Sequence, residues 1–259
     1  MSKLALVTGA TSGIGQAFAT RLADDGHDLI VVGRRQDRLE EFAAAHPEVS
    51  VRVLAADLST PEGIDEVAAV CAAEPLTMLV NNAGVAHYMP LAELPADRAR
   101  ELVGVKVLAP TLLTRAAVGG MVERGGGTIV NVAGMIAFSG AAPQSQGPRR
   151  VVYAGSLAYL VTMTQTLAAE LEGTGVRAQV ICPGVVATEF HEVQGLDLSS
   201  VPRMSADEVV TAGLRGLELG ETVCAPGVQD ASLLDTAFAA ALAAFGGQSP
   251  RLATRYQAS

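Results

Sequence analysis

The chain has 259 residues, of which 49% are hydrophobic and 17% are charged, and its formal net charge is −9. This length and composition predict one compact globular domain with a sizeable core. The negative charge argues against the clustered lysines and arginines that nucleic acid or anionic lipid requires, so we expect small-molecule partners, no nucleic acid and no membrane.

Short apolar runs alternate with longer amphipathic stretches along the chain. The runs that we expect to form strands are Leu4–Thr8, Leu29–Val32, Val51–Ala55, Met78–Asn81, Thr128–Val132 and Arg177–Ile181. Their near-continuous valine, isoleucine and leucine are typical of parallel strands buried on both faces. The alternation predicts an α/β fold: a doubly wound parallel sheet with helices on both faces, in a single domain over residues 1–259.

Helix starts are visible between and after these runs. Pro61 marks the start of one helix, and Ser205 with Glu208 has the pattern of a capping box at the start of another. The alanine-rich stretch from 232 to 245 predicts a final amphipathic helix. Residues 246–259 then form a predicted surface tail, which completes the C-terminal region 232–259.

Three cysteines, Cys71, Cys182 and Cys224, are an odd number without the spacing of disulfide pairs or metal ligands. We expect buried thiols in a reducing compartment and no metal site. No apolar run in the sequence approaches the roughly 20 residues of a membrane span. The N-terminal Met-Ser-Lys leads straight into a strand rather than a signal peptide, so we expect a cytoplasmic protein.

The segment Thr8–Gly15 reads TGATSGIG and lies between the first predicted strand and a helix. Its three glycines permit a tight turn and close backbone approach, and amides at the start of the helix can receive pyrophosphate oxygens. Residues 81–84 read NNAG after the fourth strand, and Tyr153 opens a later helix. Together these motifs resemble the short-chain dehydrogenase/reductase family, which implies a Rossmann-type fold over essentially the whole chain.

The cofactor is predicted from the charges after the second strand. Arg34 and Arg35 stand where relatives that use NAD usually carry an acidic residue. The guanidinium fork suits a 2′-phosphate, so we predict NADP(H) as the cofactor. The alternative is that both arginines are solvated residues at the start of a surface helix that also carries acidic side chains.

The resemblance also implies individual cofactor contacts. Asp57 and Leu58 resemble the pair that contacts adenine, and residues 183–188 resemble the segment that holds the nicotinamide amide. Carried over position by position, the implied cofactor-binding residues are Gly9, Thr11, Ser12, Gly13, Ile14, Gly15, Arg34, Arg35, Asp57, Leu58, Asn82, Ala83, Gly84, Tyr153, Pro183, Gly184, Val186 and Thr188.

The catalytic positions depart from the family pattern. Relatives usually act through Asn, Ser, Tyr and Lys, and the lysine lowers the pKa of the tyrosine and holds the ribose. Here Leu157 stands at the lysine position, Gly134 at the serine position and Lys106 at the asparagine position, while Tyr153 is kept. An unperturbed phenol is a poor base at neutral pH, so the missing ammonium puts ordinary carbonyl chemistry in doubt.

Lys106 is the candidate replacement for that cation, because its flexible stem could bring an ammonium into the space left by the missing lysine. The alternatives are a solvated helix residue or a pair with Glu101. Residues 140–150 predict an extra loop near the cleft, and residues 185–204 a mobile lid. Candidate substrate contacts are His87, Gly134, Arg149, Arg150 and His191, with packing or exposure as the alternative for the charged and histidine residues. Other candidate replacements are Ser139, Ser145 and Tyr88.

Three functions remain open. The first is an atypical NADP(H)-dependent oxidoreductase that reduces an activated carbonyl, an imine or iminium, or a quinone. The second is ordinary carbonyl reduction with Lys106 or an arginine as the cation. The third is a non-redox cyclase, isomerase or ligand sensor in which NADP(H) is structural or absent. By resemblance we expect a homodimer or homotetramer through helices that begin near Ala99 and Tyr153.

Overall fold

The computed structural model describes residues 3–140, 142, 149–193, 195–198 and 200–257. Ser145 and most of the predicted loop 140–150 lie outside the described residues. The chain divides into two compact units, residues 1–226 and residues 227–259, and each is described by itself.

The first unit is built on a seven-stranded sheet in which every neighbouring pair is parallel, in the order β3-β2-β1-β4-β5-β6-β7. The strands are β1 Leu4–Thr8, β2 Asp28–Gly33, β3 Val51–Ala55, β4 Met78–Asn81, β5 Gly127–Val132, β6 Val176–Ile181 and β7 Val223–Cys224. The predicted doubly wound α/β fold is confirmed. The six expected strands are present to within one residue at each end, and the two-residue strand β7 is additional.

Helices connect the strands. They are α1 Gly13–Asp24, α2 Gln36–Ala45, α3 Pro61–Ala73, α4 Ala96–Val103, α5 Ala109–Glu123, α6 Val151–Glu170, α7 Phe190–Val193, α8 Ala206–Leu219 and α9 Ser232–Gly246. A π-helical turn, Gly104–Leu108, joins α4 to α5. The capping box of α8 is present, since Ser205 N donates to Glu208 Oε2 at 2.7 Å and Glu208 N donates to Ser205 Oγ at 3.1 Å.

Both faces of the sheet are covered by apolar side chains, as the strand composition predicts. Successive residues of β1 point to opposite faces: Val7 packs in the cluster shared with α1 and α8, and Leu6 packs in the cluster shared with α3 and α5. All three cysteines are free and buried. Burial raises the pKa of each thiol to about 12, which keeps the thiols protonated and unreactive.

Two helical stretches are longer and more apolar than the sequence runs suggest. Within Ala96–Glu123 and Val151–Glu170, stretches of 18 residues reach mean hydropathies of 1.4 and 1.2, so both are long and apolar enough to cross a membrane by length and composition alone. The expectation that no apolar segment approaches such a span is therefore wrong on this measure. Both helices bury one side against the sheet, with Leu113 of α5 and Leu160 of α6 each at most 1% exposed, and core helices pass the same test.

The second unit contains α9, and no described residue of this helix is buried. Leu233, Leu242 and Phe245 are all exposed. The expected amphipathic helix is present, but it is apolar along most of its length. A short 3-10 turn, Thr254–Tyr256, follows in the tail.

Four buried polar side chains form a hydrogen-bonded network between the sheet and two helices. Asn81 Nδ2 donates to Thr114 Oγ1 at 3.1 Å and to Asn131 Oδ1 at 2.9 Å. Asn131 Nδ2 in turn donates to Thr164 Oγ1 at 2.9 Å. Because all four residues are buried, β4, β5, α5 and α6 are held in one relative position.

We expect Asn131→Ala to lower the free energy of unfolding by about 2 to 4 kcal/mol, because Asn81 and Thr164 would each lose a buried hydrogen-bond partner. Urea denaturation measures the change. Thr162→Ala, at an exposed position of the same helix as Thr164, is the control and should change stability by no more than about 0.5 kcal/mol. A similar effect of both substitutions would contradict the structural role of the network.

Candidate functional site

A cavity of about 670 Å³ opens at the carboxyl ends of the central strands. It lies where β1 is flanked by β2 on one side and β4 on the other, so that the successive connections leave in opposite directions. In open α/β sheets such a switch point forms a crevice that binds ligands. The volume lies within the roughly 300 to 1,000 Å³ of small-molecule sites.

The glycine-rich turn forms one wall of this cavity. Gly9 and Gly13 have φ values of +68° and +55°, in the left-handed region that favours glycine. A Cβ at Gly13 would lie 2.9 Å from Thr188 Cγ2, so a side chain here would also close the gap to the opposite wall. Gly15 lies beneath the turn, where a Cβ would collide with Gly9 O and Asn82 Nδ2.

Thr8 joins this turn to the loop after β4. Its hydroxyl accepts from the backbone amides of Asn82 at 3.0 Å and Ala83 at 3.1 Å. Asn82 Nδ2 donates back to Thr8 O at 3.0 Å. The NNAG segment therefore acts as a clip that holds two loops side by side at the cavity wall.

The arginines after β2 lie at one end of the cavity. Arg34 is exposed at the rim, and both arginines line the cavity. Arg35 Nη2 donates to Thr11 Oγ1 at 2.8 Å and pairs with Glu189 Oε1 at 2.7 Å. Glu189 also pairs with Arg38 at 3.2 Å. Hydrogen bonds from Arg35, Ser12 and Arg38 outweigh burial and hold the pKa of the Glu189 carboxyl below its ordinary value.

Lys106 enters the cavity from the π-helical turn between α4 and α5 and is only 5% exposed. Its Nζ donates to Val132 O at 3.3 Å, and its Cε and Nζ lie 2.6 Å from the position that a Cβ of Gly84 would occupy. Glycine at position 84 therefore makes room for the ammonium. In the described part of the chain no carboxylate pairs with Lys106, and desolvation lowers its pKa to about 8.

Tyr153 lies in the first turn of α6, lines the cavity and is 7% exposed. Burial, reinforced by the neighbouring Tyr88, raises its pKa far above the ordinary value for a phenol. Leu157, one turn later, is buried beside Gly134. A Cβ added at Gly134 would lie 3.5 Å from Leu157 Cδ1. The positions that carry serine and lysine in relatives thus present an apolar surface next to the tyrosine.

Tyr88 is the second phenol of the cavity. Its ring packs edge-on against the ring of Tyr153, with centroids 5.7 Å apart and an interplanar angle of 77°. Burial raises the pKa of Tyr88 to about 12, while the hydrogen bond from Tyr153 and the charge of Arg150 act in the opposite direction.

The predicted substrate contacts separate into two groups. Gly134 and His191 line the cavity, and burial together with the charge of Arg203 lowers the pKa of His191. His87 lies outside the cavity lining because its Nε2 is 2.9 Å from Glu101 Oε2.

Two further predicted contacts precede α6. Neither Arg149 nor Arg150 is among the residues that line the cavity. Arg149 is exposed, whereas Arg150 is half-buried and its charge acts on Tyr88. Arg150 is therefore near enough for its charge to act on Tyr88 without being part of the cavity lining.

The alternative pairing of Lys106 with Glu101 is not found, because Glu101 is engaged elsewhere. It accepts from His87 and from Arg98 Nη1 at 3.0 Å. Burial alone would raise the pKa of the Glu101 carboxyl, but these two partners hold it below its ordinary value. The carboxylate thus draws His87 away from the cavity.

All of the implied cofactor contacts except Gly15 line the one cavity, as do both catalytic candidates, Tyr153 and Lys106. Gly15 lies outside this lining, against Gly9 O and the Asn82 side chain beneath the turn. Sequence reasoning missed Glu189 and Phe190, which line the cavity from the segment after β6. The only sequence signal for Glu189 is its place directly after Thr188.

A Rossmann-type sheet with a glycine-rich turn at its switch point and a tyrosine in the crevice defines a dinucleotide-binding α/β protein. A family model described as short chain dehydrogenase matches residues 3–198. The chain belongs to the short-chain dehydrogenase family.

Individual relatives are similar over most of the chain. The very-long-chain 3-oxoacyl-CoA reductase of Mus musculus is 29% identical over 232 residues, which cover 86% of this chain and 72% of that protein. The short-chain dehydrogenase from Sphingobium yanoikuyae, solved in complex with NADPH, has a TM-score of 0.92 and 30% identity, covering 98% of this chain and 100% of that one. The bulky-bulky ketone specific alcohol dehydrogenase from Comamonas testosteroni has a TM-score of 0.88 and 28% identity, covering 99% of both chains.

The burial of Lys106 predicts a pH-dependent contribution to stability. In the folded chain it loses its proton near pH 8, and in the unfolded chain near the ordinary value of 10.5, so between these values the unfolded chain binds more protons. The contribution of Lys106 to the free energy of unfolding should therefore rise with pH across this window.

The measurement is the difference in unfolding free energy between the wild type and Lys106→Met at several pH values. Lys3→Met, which removes an exposed lysine, is the control. A difference that stays flat from pH 8 to 10.5 would show that Lys106 is solvated rather than buried.

Proposed function

We propose that the chain is an NADP(H)-dependent oxidoreductase that acts on a small, largely apolar organic substrate through an atypical active site. The observation that carries this proposal is the arrangement of a single cavity. The glycine-rich turn and Arg34 line one part of it, and the Tyr153 hydroxyl and the desolvated ammonium of Lys106 line another. The NADPH complex of the similar Sphingobium protein supports the choice of cofactor.

The residues of the cleft fit a phosphorylated dinucleotide. The left-handed turns at Gly9 and Gly13 leave backbone amides and the start of α1 open to a pyrophosphate group. Arg34 and Arg35 offer guanidinium groups to a 2′-phosphate. Bound in this cleft, the cofactor supplies the hydride of the reaction.

Tyr153 and Lys106 supply the polar chemistry at the other end. Tyr153 holds its proton firmly and so acts as a hydrogen-bond donor to the substrate oxygen. Lys106 carries a positive charge at neutral pH in a site of low dielectric, where it stabilises negative charge on the substrate oxygen and holds cofactor hydroxyls. This pair takes the place of the usual Tyr and Lys four positions apart.

The substrate side of the cavity is apolar. The apolar residues that line this side are Met135, Ile136, Leu157, Phe190 and Val193. We propose an activated carbonyl, an imine or iminium, or a quinone with bulky apolar substituents, because these groups demand less charge stabilisation than a simple ketone. The ketone specificity in the name of the similar Comamonas protein supports the bulky carbonyl class.

Two further proposals concern assembly and location. We propose a homodimer or homotetramer formed through α4, α5 and α6, where Leu108 and Val151 are exposed apolar residues. We also propose that the protein works in the cytoplasm, which three buried free thiols support.

We expect Arg34→Ala to weaken NADPH binding by at least about tenfold and to leave NADH binding nearly unchanged, because only NADPH carries the phosphate that the guanidinium meets. Titration calorimetry with both dinucleotides measures the two affinities. Arg21→Ala, which removes an exposed arginine paired with Asp25, is the control. Equal losses for NADPH and NADH would contradict the 2′-phosphate assignment.

We expect deuterium to pass from NADPH labelled at the transferable C4 position into ethyl benzoylformate, an activated aryl ketone, when the wild-type protein is present. Mass spectrometry of the product measures the transfer. Tyr153→Phe should lower turnover by about 100-fold or more, because the substrate oxygen loses a donor. Its matched control is Tyr159→Phe, at an exposed position of the same helix.

Two results would contradict the redox proposal. The first is the absence of labelled product with the wild type across this ketone, an iminium and a quinone. The second is chemical change of a metabolite from a cell extract without deuterium uptake or loss of NADPH. That second result would favour the cyclase or isomerase alternative, which Leu157 and Gly134 leave open by removing the usual polar partners.

A further inference from the structure

Tyr88 and Tyr153 form a pair of hydroxyls inside the cavity. Their rings meet edge-on, with centroids 5.7 Å apart and an interplanar angle of 77°. Both residues line the cavity. The two phenols come from different elements, since Tyr153 lies on α6 and Tyr88 lies on the segment after β4.

The segment that carries Tyr88 is anchored on the side that leads from β4. The clip between Thr8 and the backbone of Asn82 and Ala83 holds its start. Close behind, Val85 and Ala86 are buried. The ring of Tyr88 therefore packs against that of Tyr153 from a backbone that is held in place just before it.

The surroundings of Tyr153 leave few other donors. Gly134 has no side chain, and Leu157 presents only methyl groups to the same region of the cavity. A carbonyl oxygen that gains negative charge is stabilised most by two or more donors aimed at it before the reaction starts. Tyr153 supplies one hydroxyl donor and Lys106 supplies the positive charge, and Tyr88, which lines the same cavity, offers a second hydroxyl donor.

We propose that Tyr88 is a catalytic residue whose hydroxyl, together with that of Tyr153, donates a hydrogen bond to the substrate oxygen. The substrate oxygen would lie between the two hydroxyls and accept from both. This inference rests on the proposed oxidoreductase function and names a second donor for it. It involves no covalent change of Tyr88.

The electrostatics around the pair agree with this role. The hydrogen bond from Tyr153 and the charge of Arg150 both favour negative charge at the Tyr88 oxygen, although burial dominates and keeps its pKa at about 12.

Gly134 provides a way to test the donor directly. Its φ of 171° is extended backbone that any residue adopts, and a Cβ there would lie 3.5 Å from both Leu157 Cδ1 and Pro183 O. These are ordinary contacts, so serine and alanine both fit at position 134. Gly134→Ser would return a hydroxyl to the region of Tyr153, and Gly134→Ala would add the same Cβ without it.

The experiment measures kcat and KM for NADPH-dependent reduction of ethyl benzoylformate, together with NADPH affinity. We expect Tyr88→Phe to lower kcat by about 100-fold while NADPH affinity and melting temperature stay within error. Tyr159→Phe should leave all of these values unchanged. In the Tyr88→Phe background, Gly134→Ser should recover at least tenfold of the lost kcat, and Gly134→Ala should recover none.

Each other outcome overturns a defined part of the argument. Wild-type turnover in Tyr88→Phe, or equal recovery by Gly134→Ser and Gly134→Ala, would show that Tyr88 only fills space. Loss of NADPH affinity in parallel with kcat would assign Tyr88 to cofactor binding instead. If the wild type transfers no deuterium, both the proposed function and the catalytic role of Tyr88 fail. If the wild type is active and Tyr88→Phe is equally active, the proposed function stands and only the role of Tyr88 fails.

Discussion

The hydrogen-bonded network of Asn81, Thr114, Asn131 and Thr164 links the middle of the sheet to the two helices that bear the site's polar chemistry. Water does not reach these buried amides and hydroxyls, and the bonds that Asn81 Nδ2 and Asn131 Nδ2 donate favour one register of helix against strand, although Asn81 Oδ1 has no partner among the described residues. The turn that carries Lys106 leads directly into α5, and α6 begins just before Tyr153. Their meeting in one cavity follows from this register.

Burial also constrains Lys106, whose ammonium has no carboxylate partner among the described residues. The Lys106 ammonium donates to Val132 O and fits into the space that glycine leaves at position 84. Desolvation lowers its pKa to about 8, so the neutral form is accessible just above neutral pH and the cost of burial is smaller. In relatives the cation comes from the tyrosine's own helix. Here Leu157 fills that place with methyl groups, and the positive charge approaches from the opposite wall.

Much of the fold and of the cofactor wall follows from sequence, and the rest does not, for physical reasons. Buried parallel strands and glycines with positive φ leave strong local patterns, whereas β7 is two residues long and has no period to detect. Glu189 meets Arg35 across more than 150 positions of chain, a contact that depends on how two loops fold back. His87 was expected near substrate, and only tertiary packing brings Glu101 within reach of it. The orientation of Tyr88 toward Tyr153 depends on packing in the same way.

The ion pair between Arg35 and Glu189 joins the loop after β2 to the segment after β6. The Arg35 guanidinium donates to Thr11 and pairs with Glu189. A phosphate that binds Arg35 therefore competes with a carboxylate for the same N–H groups. Glu189 is followed immediately by Phe190, whose ring lies 6.4 Å from that of Tyr153. An anion that displaces the carboxylate removes one of the contacts of a segment that also packs near Tyr153, and salt weakens the partly exposed ion pair by screening it.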